Sequence, residues 1–164
     1  MLDNIQSALF EIKRVLIEDE EIRKLLYNDS NDALNLDTPS IESVDDYISL
    51  YPIYEFNTES GGYNHNCGIS IGVSVIDPVD EVVQVIASLS INVLVNSNKW
   101  VLTGNKIRPL EIADRIIELL ENKKFSTSST LSFDGMTNLI MTKRISGYAL
   151  SFTMNDGTAK IENF

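Results

Sequence analysis

Val82–Asn98 reads Val-Val-Gln-Val-Ile-Ala-Ser-Leu-Ser-Ile-Asn-Val-Leu-Val-Asn-Ser-Asn, and this stretch decides the fold class. Its apolar residues recur at every second position, whereas the positions between them are mostly small and polar. A period of two places alternate side chains on opposite faces of an extended chain, so the stretch is predicted to be a long strand with one buried face. The residues predicted to be buried are Val83, Val85, Ala87, Leu89, Ile91, Val93 and Val95. Ile86 and Leu94 depart from the pattern.

The same strand contains no charged residue. A long strand without Lys or Glu is prone to aggregation unless its edges and its polar face are covered. We therefore predict a central strand whose second face packs against another subunit, although a helix of the same chain could cover it instead. Trp100 and Arg108 follow the strand and are of residue types enriched at interfaces, while Trp100 also suits a core anchor. The predicted subunit interface consists of Ser88, Ser90, Asn92, Trp100 and Arg108.

Further strands are predicted on both sides of this stretch. Gly68–Ile76 alternates in the same way, and Asp77–Glu81 supplies a turn with a proline at its second position, so the two strands form a hairpin. Asp134-Gly135 has the composition of a hairpin turn. The C-terminal strands are predicted at Thr130–Phe133, Leu139–Thr142 and Ile145–Met154.

Two regions have the 3.6-residue apolar period of amphipathic helices. Asp3–Tyr27 is the first, and it contains an acidic run where Asp19 caps a second short helix. Pro109–Asn122 is the second, with a proline in its first turn and a surface pair between Glu111 and Arg115. This order of elements predicts an α+β fold, in which an antiparallel or mixed β-sheet has helices packed on one face.

The 164-residue chain fits one domain, residues 1–164, with an uneven charge distribution. The acidic helical part, residues 1–60, carries 14 acids and 4 bases, which gives −10. The sheet and helix part, residues 61–154, and the polar tail, residues 155–164, together carry −1. Binding to DNA or an anionic membrane needs clustered Lys and Arg, so this composition disfavours both. Apolar runs are short and alternating and no signal peptide is recognisable, so we expect a soluble intracellular protein.

No catalytic or metal motif fits its sequence context. Gly68–Gly72 matches the G-x-S-x-G pattern of serine hydrolases, but Ser70 lies within an alternating strand and the only histidine, His65, precedes it. His65 and Cys67 lack the further ligands of a zinc site, and one cysteine cannot form an intramolecular disulfide. We predict a protein that is not an enzyme and that has no catalytic, cofactor or metal site.

Three segments of the chain together carry a family resemblance. They are Ile12–Asn28, the run from Leu89 through Trp100 to the helix ending at Leu120, and Thr130–Asp156 with Ile145-Ser146-Gly147-Tyr148 near its centre. In this order they resemble the tail-terminator or tail-completion proteins of long-tailed bacteriophages and related phage-tail-like particles. The resemblance covers most of the chain as an order of elements, and no functional residue is carried over from it.

The resemblance implies a ring-forming subunit, commonly in a hexameric ring. Such a ring caps the tail tube, ends tail polymerisation and joins the tail to neck or head-completion proteins, with a sheath protein as a further partner where the tail has one. DNA would only pass through the lumen, and no membrane is involved. The implied location is the virion tail or neck, and the host cytoplasm during assembly.

The charge distribution supports a second hypothesis. An acidic binding module, or an inhibitor that mimics nucleic acid, would act on a basic protein partner, and the −10 carried by residues 1–60 would supply its surface. Glu18, Asp19, Glu20 and Glu21 form the densest acidic run. Simple solubility and a helix start explain the same residues without a partner.

Overall fold

The computed structural model describes residues 2–50, 65–78, 85–127 and 129–155, and within these ranges it contains four α-helices and seven strands. The helices are α1 (Leu2–Glu18), α2 (Glu20–Tyr27), α3 (Ile41–Val44) and α4 (Arg108–Leu120). The strands are β1 (Ile48–Ser49), β2 (Cys67–Pro78), β3 (Val85–Asn96), β4 (Val101–Leu102), β5 (Lys106–Ile107), β6 (Thr130–Ile140) and β7 (Ile145–Asn155). Short 3₁₀ turns occur at Ala33–Asn35, Asp45–Tyr47 and Ser97–Lys99.

Five of the strands form one mixed sheet in the order β1-β2-β3-β7-β6, while β4 and β5 form a small separate hairpin. β1 runs parallel to β2, and every other neighbouring pair in the large sheet is antiparallel. The predicted α+β class is therefore confirmed. The long strand predicted from the period of two is β3, and it lies at the centre of the sheet between β2 and β7.

One face of the sheet packs against α1, α2 and α4 to form the hydrophobic core. The described β3 residues of the predicted buried face are all 0% exposed: Ala87, Leu89, Ile91, Val93 and Val95. Leu150 and Phe152 of β7 extend the same apolar face, because they pair with Ile91 and Leu89. Burying alternate residues of two adjacent strands under helices accounts for the two-layer arrangement.

The break between α1 and α2 arises from Asp19. Its backbone is extended (φ −74°, ψ 125°), and its carboxylate accepts a hydrogen bond from the Ile22 amide at 3.0 Å. That bond satisfies one of the N–H groups that a helix start leaves without an intrahelical partner. The predicted cap is confirmed, and α2 turns Ile22, Leu25 and Leu26 into the core.

Asp134-Gly135 forms a β-bulge rather than the predicted hairpin turn. β6 continues through this dipeptide, and its register against β7 shifts between Phe133 and Gly135. Gly135 has a φ of 153°, which L side chains rarely adopt, and the Asp134 carboxylate accepts a hydrogen bond from the Thr153 hydroxyl at 2.8 Å. The same residue types suit a turn and a bulge, because both need a conformation that glycine adopts easily.

The predicted surface pair between Glu111 and Arg115 does not form. Arg115 instead reaches Asp19 and Glu118, each with an N–O distance of 2.7 Å, and Glu111 pairs with Lys106 at 2.9 Å. The Asp19 side chain is only 9% exposed, so solvent screens its pair with Arg115 less than it would screen an exposed helix pair. The tertiary contact therefore replaces the local one, and α4 keeps the predicted proline in its first turn.

Several predicted features lie outside the described residues. They are Val83 of the long strand, residues 79–81 of the predicted turn, and residues 156–164 of the polar tail. The division into one domain over residues 1–164 stays a prediction.

Gly147 of β7 occupies a position where the neighbouring strand leaves no room for a side chain. A Cβ at Gly147 would lie 1.8 Å from the backbone oxygen of Val93 in β3. Gly147→Ala is expected to lower the free energy of unfolding by about 1–3 kcal/mol, because the two strands must separate. Urea denaturation followed by circular dichroism measures the change.

Gly72→Ala is the matched control for this substitution. Nothing lies within 4 Å of a Cβ added at Gly72. Its effect on the free energy of unfolding should stay within about 0.5 kcal/mol. Equal losses in the two variants would contradict the close approach at Gly147.

Candidate interaction surface

The face of the sheet that points away from the helices consists mainly of small uncharged residues, and we call it the polar face. Asp134 lies at its margin, where its carboxylate binds the Thr153 hydroxyl. The polar face alternates with the core face along the strands, and neither β3 nor β7 contains a charged residue. Ser88, Ser90 and Asn92 are half-buried on this face, and Ser151 and Thr137 are exposed. The polar face consists of Ser70, Gly72, Ser88, Ser90, Asn92, Thr137, Ala149 and Ser151, which the strand register places side by side.

Side-chain hydrogen bonds connect the polar face across β2 and β3. Ser90 Oγ donates to Asn92 Oδ1 at 3.1 Å, and Asn92 Nδ2 donates to Ser70 Oγ, also at 3.1 Å. Polar groups that are already paired lose fewer partners when another molecule displaces water from them. An uncharged protein surface can therefore cover this part of the sheet at a low desolvation cost.

A small apolar cluster lies at one end of the polar face. Leu94 is 2% exposed and Ile145 is 9% exposed, and the half-buried Leu139 and Met141 pack against them. No helix of the described chain contributes to this cluster, since its members come from β3, β6, β7 and the β6–β7 turn. Leu94 departs from the period of two in β3 because it belongs to this second cluster and not to the helix-covered core.

Arg108 does not belong to the interaction surface, which corrects the sequence-based prediction. The side chain is buried, at 1% exposed. Its guanidinium donates to the backbone carbonyl oxygens of Lys99, Leu25, Asn28 and Ser30. Burial lowers the pKa of Arg108 from its ordinary value, and the carbonyl oxygens supply the partners that a buried cation needs. We call this set of contacts the Arg108 clamp; it fastens the start of α4 to the segment that follows α2.

Trp100 is also directed inward. Its indole Nε1 donates to the Val95 carbonyl oxygen at 3.1 Å, and its ring lies 6.1 Å from the Tyr148 ring, measured between centroids. The side chain is half-buried and packs against the core. An indole N–H group that is turned towards the core needs such an acceptor, so Trp100 is a core anchor. Of the predicted interface residues, the three on the polar face remain candidates.

Comparison with known families bears on the segment that carries the polar face. The model of the YomW family matches residues 19–154. The chain belongs to the YomW family. No curated protein matches it. The YomW match begins at Asp19, so it includes α2, α4, the Arg108 clamp and the polar face, and it leaves out α1.

The residues considered for chemistry occupy structural positions in this YomW-family chain. Ser70 lies inside β2 and is 1% exposed. His65 stacks on Tyr47 with ring centroids 3.7 Å apart, and burial raises the pKa of the Cys67 thiol to about 12. Within the described ranges, no group of three or more His, Cys, Asp or Glu residues could hold a metal ion, and no helix is both long and apolar enough to cross a membrane.

The acidic run at the junction of α1 and α2 borders an open cleft of about 570 Å³. The residues that line the cleft are Glu18, Asp19, Glu20, Glu21, Lys24, Leu34 and Arg115. Burial is the largest effect on Asp19 and raises its pKa, but the hydrogen bonds from Arg115 and the Ile22 amide outweigh it. The pKa of Asp19 therefore lies below its ordinary value of 3.8. Asp19 both caps α2 and binds Arg115 of α4, so its position and its lowered pKa are explained without a ligand.

Ala149, Ser151 and Thr137 belong to the polar face, and the sequence reasoning missed them. A signal for the first two was present, because β7 alternates as regularly as β3 and its small residues must face the same way as those of β3. Thr137 was hidden by the incorrect turn at Asp134-Gly135, which divided β6 into two short strands.

Arg108→Lys is expected to lower the free energy of unfolding by about 3 kcal/mol or more. A lysine ammonium cannot reach the four carbonyl oxygens that the guanidinium binds, so buried acceptors lose their partners. Arg14→Lys is the matched control, because Arg14 is exposed and its replacement should change stability by less than about 0.5 kcal/mol. Urea denaturation followed by Trp100 fluorescence measures both, and similar values for the two variants would contradict the Arg108 clamp.

Asp19 makes the stability of the fold depend on pH in the acid range. Its folded pKa lies below the unfolded value, so ionised Asp19 stabilises the fold above the unfolded pKa, and this contribution is lost as the pH falls through the folded pKa. Asp19→Asn keeps a helix-capping side chain but removes the ion pair with Arg115. Its free energy of unfolding should lie below that of the unmodified chain above about pH 5, and the two should converge near about pH 2.

Glu18→Gln is the control for the pH experiment, because it removes a carboxylate from an exposed neighbouring position. Urea denaturation across the pH range measures the three proteins. The same convergence in Glu18→Gln would show that the effect does not come from Asp19.

Proposed function

We propose that this chain is the subunit of a hexameric ring that caps a phage tail tube, ends tail polymerisation and joins the tail to neck or head-completion proteins. The observation that carries the proposal is the polar face, a sheet surface whose central strands β3 and β7 contain no charged residue. The family resemblance in the order of segments indicates that this assembly is a ring on a phage tail. The polar face supplies a contact surface for it.

The chemistry of the polar face favours contact with protein. A sheet face that meets water usually carries Lys, Glu or Arg, which keep strands from aggregating. Ser, Gly, Asn and Ala instead allow two backbones to approach closely and lose little side-chain entropy when they are covered. The Leu94 cluster adds apolar surface at one end of the same face. A second copy of the chain is the cover that a ring would provide.

The charge distribution supports the same arrangement. Residues 1–60 carry −10 and contain α1, α2 and α3, whereas residues 61–164 carry −1. Two copies repel each other unless they meet through their nearly neutral parts. In the proposed ring the acidic helices face the lumen, where like charge keeps the passing DNA from adhering.

The alternative, an acidic module that binds a basic partner, has less support because some of the acids already have partners within the chain. Asp19 binds Arg115 at 2.7 Å, and Asp45 binds Lys13 at 3.1 Å. These carboxylates hold helices in place, and a mimic of nucleic acid would present its charges to solvent.

Ser90→Lys tests the role of the polar face. A lysine at this half-buried position would place an unpaired charge within the proposed contact, so the association constant of the ring should fall by at least about tenfold. Ser7→Lys makes the same change at an exposed position of α1 and should leave assembly unchanged. Native mass spectrometry and light scattering at micromolar concentration measure assembly, with and without the tail-tube protein encoded by the same genome.

Two results would contradict the proposal. An unmodified chain that stays monomeric even with the tail-tube protein present would exclude the ring. An equal loss of assembly in Ser90→Lys and Ser7→Lys would exclude the polar face as the contact.

A further inference from the structure

Among the described residues, hydrogen bonds from the segment after α4 cover the first half of the outer edge of β6. The Glu121 carboxylate accepts a hydrogen bond from the Phe133 amide at 2.6 Å, and the Asn122 amide donates to the Leu131 carbonyl oxygen at 2.9 Å. Both bonds come from the segment that follows α4. Beyond the bulge, residues 134–140 form the last strand on this side, and no other strand of the described chain pairs with them. We call residues 134–140 the open edge.

The open edge presents backbone groups and apolar side chains to its surroundings. The Met141 amide donates inward to the Ile145 carbonyl oxygen at 3.0 Å. Inward and outward groups alternate along an antiparallel strand, so Met136, Asn138 and Ile140 direct their N–H and C=O groups outward. Met136 is 40% exposed and Ile140 is 79% exposed. Long edges of this kind are sites where another strand can pair.

The strand at the opposite edge of the sheet runs in the direction that antiparallel pairing with β6 of another copy requires. β1 lies at that edge, and three antiparallel pairings separate β2 from β6. Because β1 runs parallel to β2, β6 and β1 point in opposite directions. A second copy placed beside the first, with its sheet continuing the same layer, therefore brings β6 of one copy antiparallel to β1 of the next.

The two edges also carry opposite charges at the same end of the sheet. The β6–β7 turn contains the exposed Lys143 and Arg144. The strand register aligns Ile140, at the end of β6, with Ser146, Val95 and then Cys67, which is the first residue of β2. The turn that follows Ile140 therefore lies beyond the start of β2. Asp45 and Asp46 are exposed and come just before Tyr47 and β1, which pairs in parallel with the first residues of β2. These acids therefore also lie beyond the start of β2. Asp45 also binds Lys13 of its own chain at 3.1 Å.

We infer that copies of this chain join head to tail, with the open edge of one copy pairing antiparallel to β1 of the next, and with Lys143 and Arg144 of the first copy facing Asp45 and Asp46 of the second. This inference rests on the proposed ring and adds an edge contact between neighbouring copies to the contact through the polar face. Two different surfaces in contact give an interface that repeats around a ring when the rotation closes. Symmetric pairing of two open edges would instead give a closed dimer, and it would place the two basic turns at opposite ends of the shared edge.

Thiol cross-linking tests the head-to-tail contact. Ile140→Cys and Asp46→Cys are combined in one chain and treated with a short bismaleimide, under conditions where light scattering shows assembly. We expect a ladder of cross-linked species that ends at the ring, and no ladder from either single variant. Cys67 serves as an internal control, because its buried thiol with a pKa raised to about 12 should not react.

The outcomes separate this inference from the proposed function. Assembly without a ladder, or cross-linked dimers from Ile140→Cys alone, would overturn the edge pairing and leave the ring standing. A chain that does not assemble even with the tail-tube protein would overturn both.

A charge exchange tests the electrostatic part of the contact. Arg144→Glu should weaken assembly by about fivefold, and adding Asp46→Lys to the same chain should restore it. Arg14→Glu is the matched control at an exposed position of α1 and should have no effect. Failure of Asp46→Lys to restore assembly, with the variants folded by circular dichroism, would contradict the proposed pairing of charges.

Discussion

The alternation of side chains along β3 is the constraint on which the rest of the structure depends. From Ala87 to Asn96, one face of this strand is fully buried, and the other contains small polar residues and Leu94. Such a strand is stable only at the centre of a sheet, with helices on one face and neighbours on both edges. β2 and β7 occupy the edges, and α1, α2 and α4 cover the apolar face. The polar face is the surface of this strand that a partner could cover.

The helical layer reaches its position through polar contacts within the chain. The Arg108 clamp holds the start of α4 against the segment after α2, and the pair between Asp19 and Arg115 joins the start of α2 to the same helix. Each contact also satisfies groups that a helix end leaves unpaired or that burial would otherwise penalise. The acids near α2 and α4 thus have a structural role, whereas the proposed contact lies on the sheet face whose central strands β3 and β7 contain no charged residue.

The sequence was informative where a local rule decides the structure. The period of two identified β3 and its buried residues, and the acidic run identified the break at Asp19, because strand alternation and helix capping depend on residues close together in the chain. Asp134-Gly135 was misread because turns and bulges use the same residue types. Arg115 was misassigned because its partner Asp19 is 96 residues away in the chain. Arg108 was placed at an interface because enrichment at interfaces does not distinguish a surface arginine from one that binds carbonyl groups inside its own chain.

The Arg108 clamp also bears on the order in which the chain acquires its structure during synthesis. The carbonyl groups of Leu25, Asn28 and Ser30 lie 83, 80 and 78 residues before the guanidinium that binds them. A ribosome-bound chain that exposes only the first helices cannot form the Arg108 clamp, because Arg108 has not yet left the exit tunnel. The loop after α2 can bind Arg108 only after α4 has emerged, because contacts of such long sequence separation form late. Until then the end of α2 and the segment after it lack their hydrogen bonds to Arg108.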